Sequence, residues 1–487
     1  MGGAAQAEPR GAPRAPQVVR AAAMPAGTPD VPVAIVGAGA CGLTAALMLR
    51  DAGIDCVLLE RDAQPQGSTA LSSGFIPAAG TAVQRAAGVH DDSARRLAAD
   101  IQAKAKGTAA AHLVAAYAEA IAPALDALQA RHGLAFELLD GFLYPGHTVR
   151  RMHTLAQKTG AALVAALGEA AERAGAMLVT RAHVRELWVA EGTTPPTVLG
   201  VGYERPDGAL EHLACGVLLL ACNGFGGNRE MVRELLPEMR EAVFGGHAGN
   251  DGSAIAWGRA LQAQLADLGG YQGHGSWAVP QGALITWALM AEGGVQVNAR
   301  GERFHDETQG YSEASVQVLA QPGGVAWNVF DDRLLALGRR FPDFVGAEAA
   351  GAVRHAADVP TLARVIGCDP ETLSRTLAAT RLVPPLYAIQ VTGALFHTQG
   401  GLDIDAHARV RHAQGAVFPN LLAAGGAARG VSGNAVWGYL SGNGLLSAVA
   451  GGWIAARTAA ARLGTNAALA AHPAYPAQPA HADKEIR

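Results

Sequence analysis

Residues 31–60 read VPVAIVGAGACGLTAALMLRDAGIDCVLLE. The β-branched run that ends at Gly37 suits a parallel strand buried on both faces. Between Cys41 and Ala52 the residues Leu43, Ala46, Leu47 and Leu49 fall at helical spacing, and IDCVLLE supplies a second apolar strand closing at Glu60. Strand, glycine turn, helix and strand within ~30 residues make a βαβ unit. Gly37, Gly39 and Gly42 form G-x-G-x-x-G at its strand-to-helix junction. The first glycine permits the tight turn, the second lets the backbone approach a pyrophosphate, and the third allows close helix–strand packing. Free N–H groups and the partial positive charge at the helix start favour phosphate. Glu60 ends the second strand, where an acid accepts hydrogen bonds from a ribose hydroxyl. This is the pattern of a dinucleotide site.

Working outward, the chain of 487 residues has room for two or three domains of ~150 residues. Half of it is hydrophobic, which excludes a chain disordered throughout. With 38 basic and 42 acidic residues and no long basic run, a nucleic-acid or anionic-membrane surface is not expected. Cys41, Cys56, Cys215, Cys222 and Cys368 are scattered without C-x-x-C, so no disulfide framework, iron–sulfur cluster or metal site is expected. No stretch is long and apolar enough to span a bilayer. These features predict a cytoplasmic protein in a reducing compartment. Residues 1–30, rich in Ala, Pro and Arg, read as a disordered tail, with Met24 as an alternative start, and residues 463–487 as a loose one.

Helical patterns occupy 90–135 and 160–175, and strands are expected at 176–180, 183–190 and 197–203. A buried strand then runs into a glycine turn at 217–227 (VLLLACNGFGG). Residues 276–394 change character, with more aromatics and a helical stretch at 359–380. Strand–glycine signals return at 417–426, before a last helix through Leu445–Ala461. The predicted fold is α/β: a Rossmann-like dinucleotide domain (31–275 and 395–462) interrupted by an inserted α+β capping domain (276–394).

After Glu60 comes RDAQPQGSTALSSGFIPAAG (61–80). This small-residue, hydroxyl-rich segment is fit to lie under an extended cofactor and to bond a diphosphate and a flavin edge through Ser68, Thr69, Ser72, Ser73 and Gly74. Asn443, Gly444 and Leu445, at the start of the last helix, aim N–H groups at a flavin's O2 edge and favour the anionic reduced ring. A separate pyridine-nucleotide fingerprint is absent, which favours FAD over NAD.

Several motifs in order then bring a family into view: VAIVGAGACGLTAAL (33–47), GSTALSSG (67–74), LLACNGFGGN (219–228), GNDGSAIAWG (249–258), GGVQVNARGERFHDE (293–307), FHTQGGLDID (396–405), PNLLAAGGAARG (419–430) and GYLSGNGLLSA (438–448). Over about residues 31–460 the chain resembles the flavoproteins of fumarate reductase, succinate dehydrogenase, tricarballylate dehydrogenase and the 3-ketosteroid dehydrogenases. The resemblance implies an FAD domain with an inserted cap and a reaction site between them. It also implies FAD contacts from Arg61, Val184, Ala221, Asn223, Gly224, Gly425 and Gly426. Asp251, in GNDG, reads as a turn cap or cofactor-domain brace. Three departures carry weight. Ser68 stands where membrane-bound members attach FAD through a histidine, so FAD is expected to be non-covalent. Gly426 replaces the acid of the family's AAGE, leaving backbone contacts only. Tyr311 and the Val436–Trp437 region stand where fumarate reductases place arginines.

Without those arginines a dicarboxylate meets too little positive charge, and burying a carboxylate without a paired cation costs several kcal/mol. Arg429 and Arg303 are the remaining candidates for a clamp, against an alternative as ordinary ion pairs. Phenols, a hydroxyl and imidazoles remain: Tyr311, Tyr439, Ser441, His397 and His274. They suit a neutral carbonyl substrate. Removing an α-proton needs a base drawn towards working pH, and the developing enolate needs preorganised donors. The resemblance to ketosteroid dehydrogenases assigns Tyr311 and Tyr439 as the proton-handling pair, Ser441 as helper, and His397 as a group near flavin and substrate. The function expected is desaturation of a C–C bond beside the carbonyl of a steroid-like or other apolar ketone, with hydride passing to flavin N5 and an unidentified electron acceptor. The alternatives are a fumarate-reductase-like C=C reductase of an unsaturated acid or enone, and a flavin-binding redox sensor without turnover.

Overall fold

The computed structural model describes residues 14–140 and 143–464. The ends of both expected tails, 1–13 and 465–487, lie outside the described residues.

The quoted stretch forms the strand Asp30–Val36, the helix Ala40–Asp51 and the strand Cys56–Leu59. The two strands pair in parallel with Val33 beside Cys56 and Val36 beside Leu59. Successive residues Val33, Ala34 and Ile35, with Leu58 on the neighbouring strand, are all buried, so both faces of the strand are covered and the run is continuously apolar rather than alternating. The main sheet runs Gln17–Ala21, His183–Ala190, Val198–Glu204, Leu210–Leu220, Asp30–Val36, Cys56–Leu59, Met177–Val179. Val417–Ala423 joins it in parallel against Leu218–Leu220. Helix Asn443–Arg462 lies against helix Ala40–Asp51, with small residues such as Gly452 and Ala45 at the contact.

A second sheet is built on the long strand Leu386–Thr398, flanked by Tyr271–Ala278 and Val325–Asp331. Ala278, Ile285, Trp287, Phe330, Phe344 and Ile389 belong to a core of its own. A small third sheet pairs Ile76–Pro77, Met152–Thr154 and Glu137–Leu138. Phe75, Leu139 and Met152 cluster there, with Tyr144 packed against them.

Two expectations are corrected. The first 30 residues are not a disordered tail throughout: Gln17–Ala21, N-terminal to Met24, pairs in parallel with Glu186–Ala190 and forms the edge of the main sheet. The second sheet is also wider than residues 276–394. It takes in Val243–Phe244 and Tyr271–Ala278, and Leu386–Thr398 carries it to Thr398. No helix among the described residues is long and apolar enough to cross a membrane.

Candidate functional site

A continuous cavity opens at the carboxyl ends of the parallel strands, where Val36, Leu59 and Ala221 lie on its wall, and extends to the seam with the second sheet. Crevices beyond strand carboxyl ends are where open α/β sheets bind ligands.

At one end the glycine turn is fixed by necessity. Gly37 has φ 104°, and a Cβ there would lie 2.6 Å from the Ala221 carbonyl oxygen. The Glu60 carboxylate folds onto the turn: Oε2 accepts from Ala38 N and Oε1 from Asp62 N, both at 2.9 Å. Each oxygen keeps acceptor capacity for a hydroxyl. Thr69 Oγ1 accepts from Ala40 N at the helix start (3.0 Å). Ser68 Oγ accepts from the side-chain amides of Asn223 (2.8 Å) and Asn250 (3.0 Å). With both lone pairs taken, the Ser68 hydroxyl hydrogen is left to donate into the cavity, which suits an anionic phosphate. Arg61 lies beside Asp62 and Asp251 on the same wall. Asp251 Oδ1 accepts from Ser253 N (3.0 Å) and Oγ (2.6 Å), capping the helix that follows. Burial alone would raise the Asp251 carboxyl, but bonds from His183 and Ser253 hold it at about 2.

At the other end the two lobes meet. Tyr311 begins the helix Tyr311–Leu319 of the second lobe, and its ring lies 6.1 Å from that of Tyr439, contributed by the first lobe just before helix Asn443–Arg462. Ser441 lines the same wall as Tyr311. Burial, then the nearby Tyr439, raise Tyr311 well above an ordinary phenol, and the Ser441 hydroxyl nearby pulls the other way. Burial likewise raises Tyr439, against the backbone N–H groups of Gly444 and Gly442. Gly444 N donates to Tyr439 Oη at 3.4 Å. The His397 ring packs 5.6 Å from Tyr439, and burial pushes it down to about 4, so it is neutral. Its Nδ1 lies 3.1 Å from Gln399 Nε2 and 3.4 Å from the Thr398 carbonyl oxygen, and its Nε2 edge faces Gly444. Phe75, Tyr144, Met152, Leu284 and Phe396 complete an aromatic and aliphatic wall.

The match to a known family decides the cofactor. A family described as FAD binding domain matches residues 32–445. The chain belongs to this FAD-binding family. Fumarate reductase (cytochrome) of Shewanella frigidimarina is 27% identical over 452 residues, covering 88% of this chain and 77% of the relative. The open conformation of a flavocytochrome c3 fumarate reductase superposes with TM-score 0.76 at 25% identity, over 90% of this chain and 79% of that one. The 3-ketosteroid-Δ4-(5α)-dehydrogenase of Rhodococcus jostii RHA1, solved with 4-androstene-3,17-dione, shares the fold with TM-score 0.70 at 23% identity, covering 89% and 97%. The chain is an FAD-dependent oxidoreductase, similar to the fumarate reductases.

The residues present fit FAD. Besides the nucleotide end, Ser447 Oγ is buried on the cavity wall with no protein partner, as expected of a group that bonds a cofactor. Of the expected FAD contacts, Gly37, Gly39, Glu60, Arg61, Ser68, Thr69, Ser72, Ser73, Val184, Ala221, Asn223, Asp251, Gly425, Gly426, Gly444 and Leu445 line the cavity. Four do not. Gly42 packs on the Gly37 carbonyl, Gly74 (φ 70°) on Thr159, Gly224 on Thr398, and Asn443 donates inward to Ser432 Oγ (3.0 Å). Their places are structural, behind the wall.

Tyr311, Tyr439, Ser441 and His397 are brought together on the cavity wall; His274 is not. Its ring stacks 4.8 Å behind Tyr311, its Nδ1 accepts from Ser276 N (3.1 Å), and burial pushes it down to about 3. It supports Tyr311 instead of meeting a ligand. Arg303 is paired with Glu307, and Arg429 with Asp267 (2.7 Å) and Asp403 (3.3 Å); neither lines the cavity. Tyr144 and Asn250 are wall residues that the sequence reading did not single out. Asn250 sits one position from Asp251 in the quoted GNDG, and Tyr144 lies in a stretch without a motif.

Proposed function

We propose that this chain desaturates a C–C bond beside the carbonyl of an apolar, ring-containing ketone. The observation that carries the reading is the neutrality of the seam. Tyr144, Tyr311, Tyr439, Ser441 and His397 line it with apolar side chains, while the cavity's arginine, Arg61, sits at the nucleotide end. A dicarboxylate there would be buried without a paired cation, at several kcal/mol per ion. A ketone needs only hydrogen-bond donors.

When bound, FAD supplies the two-electron acceptor for the hydride from the β-carbon. Ser68 offers it no imidazole for covalent attachment, so it is held by hydrogen bonds alone. The α-proton passes to the Tyr311 oxygen as the C=C bond forms, with Ser441 donating to the phenolate that precedes it. The Tyr439 phenol, itself receiving the Gly444 N–H, turns its proton to the carbonyl oxygen where negative charge develops. His397, kept neutral by burial, packs against the Tyr439 ring and fixes its place. The apolar wall excludes water and holds the ring.

One observation favours the reverse reaction on an enone: burial keeps the Tyr311 phenol protonated, ready to supply the α-proton. Both directions use the same atoms, and the electron partner sets which one runs. Anaerobic mixing of the oxidised holoprotein with a saturated 3-ketosteroid or a substituted cyclohexanone tests the reading. Bleaching of the flavin absorbance by the ketones but not by succinate is expected. Bleaching by succinate alone overturns it, and no response to a wide panel of ketones and acids favours a binding protein without turnover.

A further inference from the structure

Behind Ser441, away from the FAD cavity, lies a buried ion cluster that the proposed reaction does not use. Arg151 is 1% exposed. Its Nε and Nη2 bond Asp92 at 3.1 and 2.9 Å, and its Nη1 pairs with Asp100. The same Nη1 lies 3.4 Å from Nδ1 of His147. A guanidinium only donates, so Nδ1 accepts and the ring proton sits on Nε2. Nε2 is 2.9 Å from the Ser441 carbonyl oxygen, to which it donates. The neighbouring residues are fixed as well. Gly146, at φ 88°, brings the loop so close that a Cβ would lie 2.7 Å from Leu440 Cδ1. Thr148 N donates to Asp100 Oδ2 at 2.9 Å. Burial, then Arg151, push His147 down to about 4, so it keeps the neutral form with one donor and one acceptor.

We infer that His147 is a positioning residue: its Nε2–H holds the Ser441 carbonyl so that the Ser441 hydroxyl meets the Tyr311 phenol. The Asp92–Arg151–Asp100 cluster is the rigid base of this strut. A buried pair is weak support for stability but holds a geometry well when every bond is made. The inference rests on the reading of Tyr311 as the proton-handling group.

Holoprotein labelled with 3-fluorotyrosine gives the test without a substrate, the Tyr311 fluorine signal being assigned by Tyr311→Phe. Ser441→Ala is expected to shift that signal and move its titration to higher pH. His147→Leu is expected to do the same, and the double variant to add nothing further. His147→Gln, which can both accept from Arg151 and donate to Ser441, should keep the wild-type signal. In the ketone bleaching assay His147→Leu is expected to slow the rate about 10–100-fold, as a small misplacement does. An unchanged Tyr311 signal in folded, FAD-loaded His147→Leu, or additive effects in the double variant, overturns the inference. If His147→Leu does not hold FAD, His147→Asn takes its place: its amide is too short to span Arg151 and Ser441, so equal signals in His147→Asn and His147→Gln overturn the inference. If Ser441→Ala itself leaves both readouts unchanged, the assignment of Ser441 and Tyr311 fails instead.

Discussion

Tyr311 and Tyr439 face each other across the seam between the two lobes, ring centroids 6.1 Å apart and planes inclined by 61°. Neither lobe supplies both phenols. One phenol rides on the inserted lobe and the other on the lobe that binds FAD.

The division of labour between the phenols is open to direct mutation. Tyr311→Phe removes the proton acceptor and is expected to lower the rate of ketone-driven flavin bleaching about 10²–10⁴-fold. Tyr439→Phe removes an enolate donor and should cost about 10²–10³-fold. Both variants should keep bound FAD, measured by the flavin-to-protein absorbance ratio. Full rates in both remove the mechanism.

Gly37→Val should lose FAD. The added side chain meets the Ala221 carbonyl, and φ 104° is strained for any β-branched residue. Colourless but folded protein by circular dichroism is the expected outcome; normal flavin content contradicts the placement of the nucleotide end. In the wild type, acid denaturation followed by filtration should release all the flavin, since Ser68 cannot form a covalent link.

Arg303→Gln and Arg429→Gln separate ion pairs from substrate clamps. Each arginine is already paired with carboxylates off the cavity wall. The expected result is an unchanged bleaching rate with a stability loss of about 0.5–3 kcal/mol by denaturant titration. A large rise in the ketone concentration needed, at unchanged stability, would mean that one of them reaches the ligand.

Stability should fall with acid in a defined window. Burial holds His397 and His153 at about 4 and His274 at about 3, against 6.5 when exposed. Between 6.5 and about 4 the unfolded chain therefore binds more protons than the folded one, so stability is present above 6.5 and is lost as pH falls through the window. Asp251, held at about 2 against 3.8, contributes above 3.8 and is lost below that, outside this range. The melting temperature should drop steadily from pH 6.5 to 4; a flat profile contradicts neutral burial of these rings.

The residues that reveal the FAD domain are local in sequence. The glycine turn, the flanking strands and the hydroxyl-rich segment 67–74 each declare their role within a few positions. What was not legible depends on distant pairing. Gln17–Ala21 is a strand because it lies beside Glu186–Ala190, some 170 positions away in the chain (Gln17 pairs with Glu186), while its Ala/Pro/Arg surroundings signal a tail. Val243–Phe244 and Tyr271–Ala278 belong to the second sheet through Leu386–Thr398, a partner that no local pattern announces. His274 shows the limit for single residues: its type suits proton chemistry, but the fold turns it behind Tyr311. His147 shows the converse, a histidine in the plain stretch YPGHTVRRM that packing alone brings to Ser441.

The most direct test of a neutral, phenol-lined seam is a crystal structure of the FAD-loaded protein soaked with a saturated ring ketone. The carbonyl oxygen is expected within hydrogen-bond reach of Tyr439 Oη, with the ring against the wall of Phe75, Met152 and Phe396 and no guanidinium in contact. A carboxylate ligand held at the seam by a displaced Arg303 or Arg429, with the ketone excluded, would contradict it.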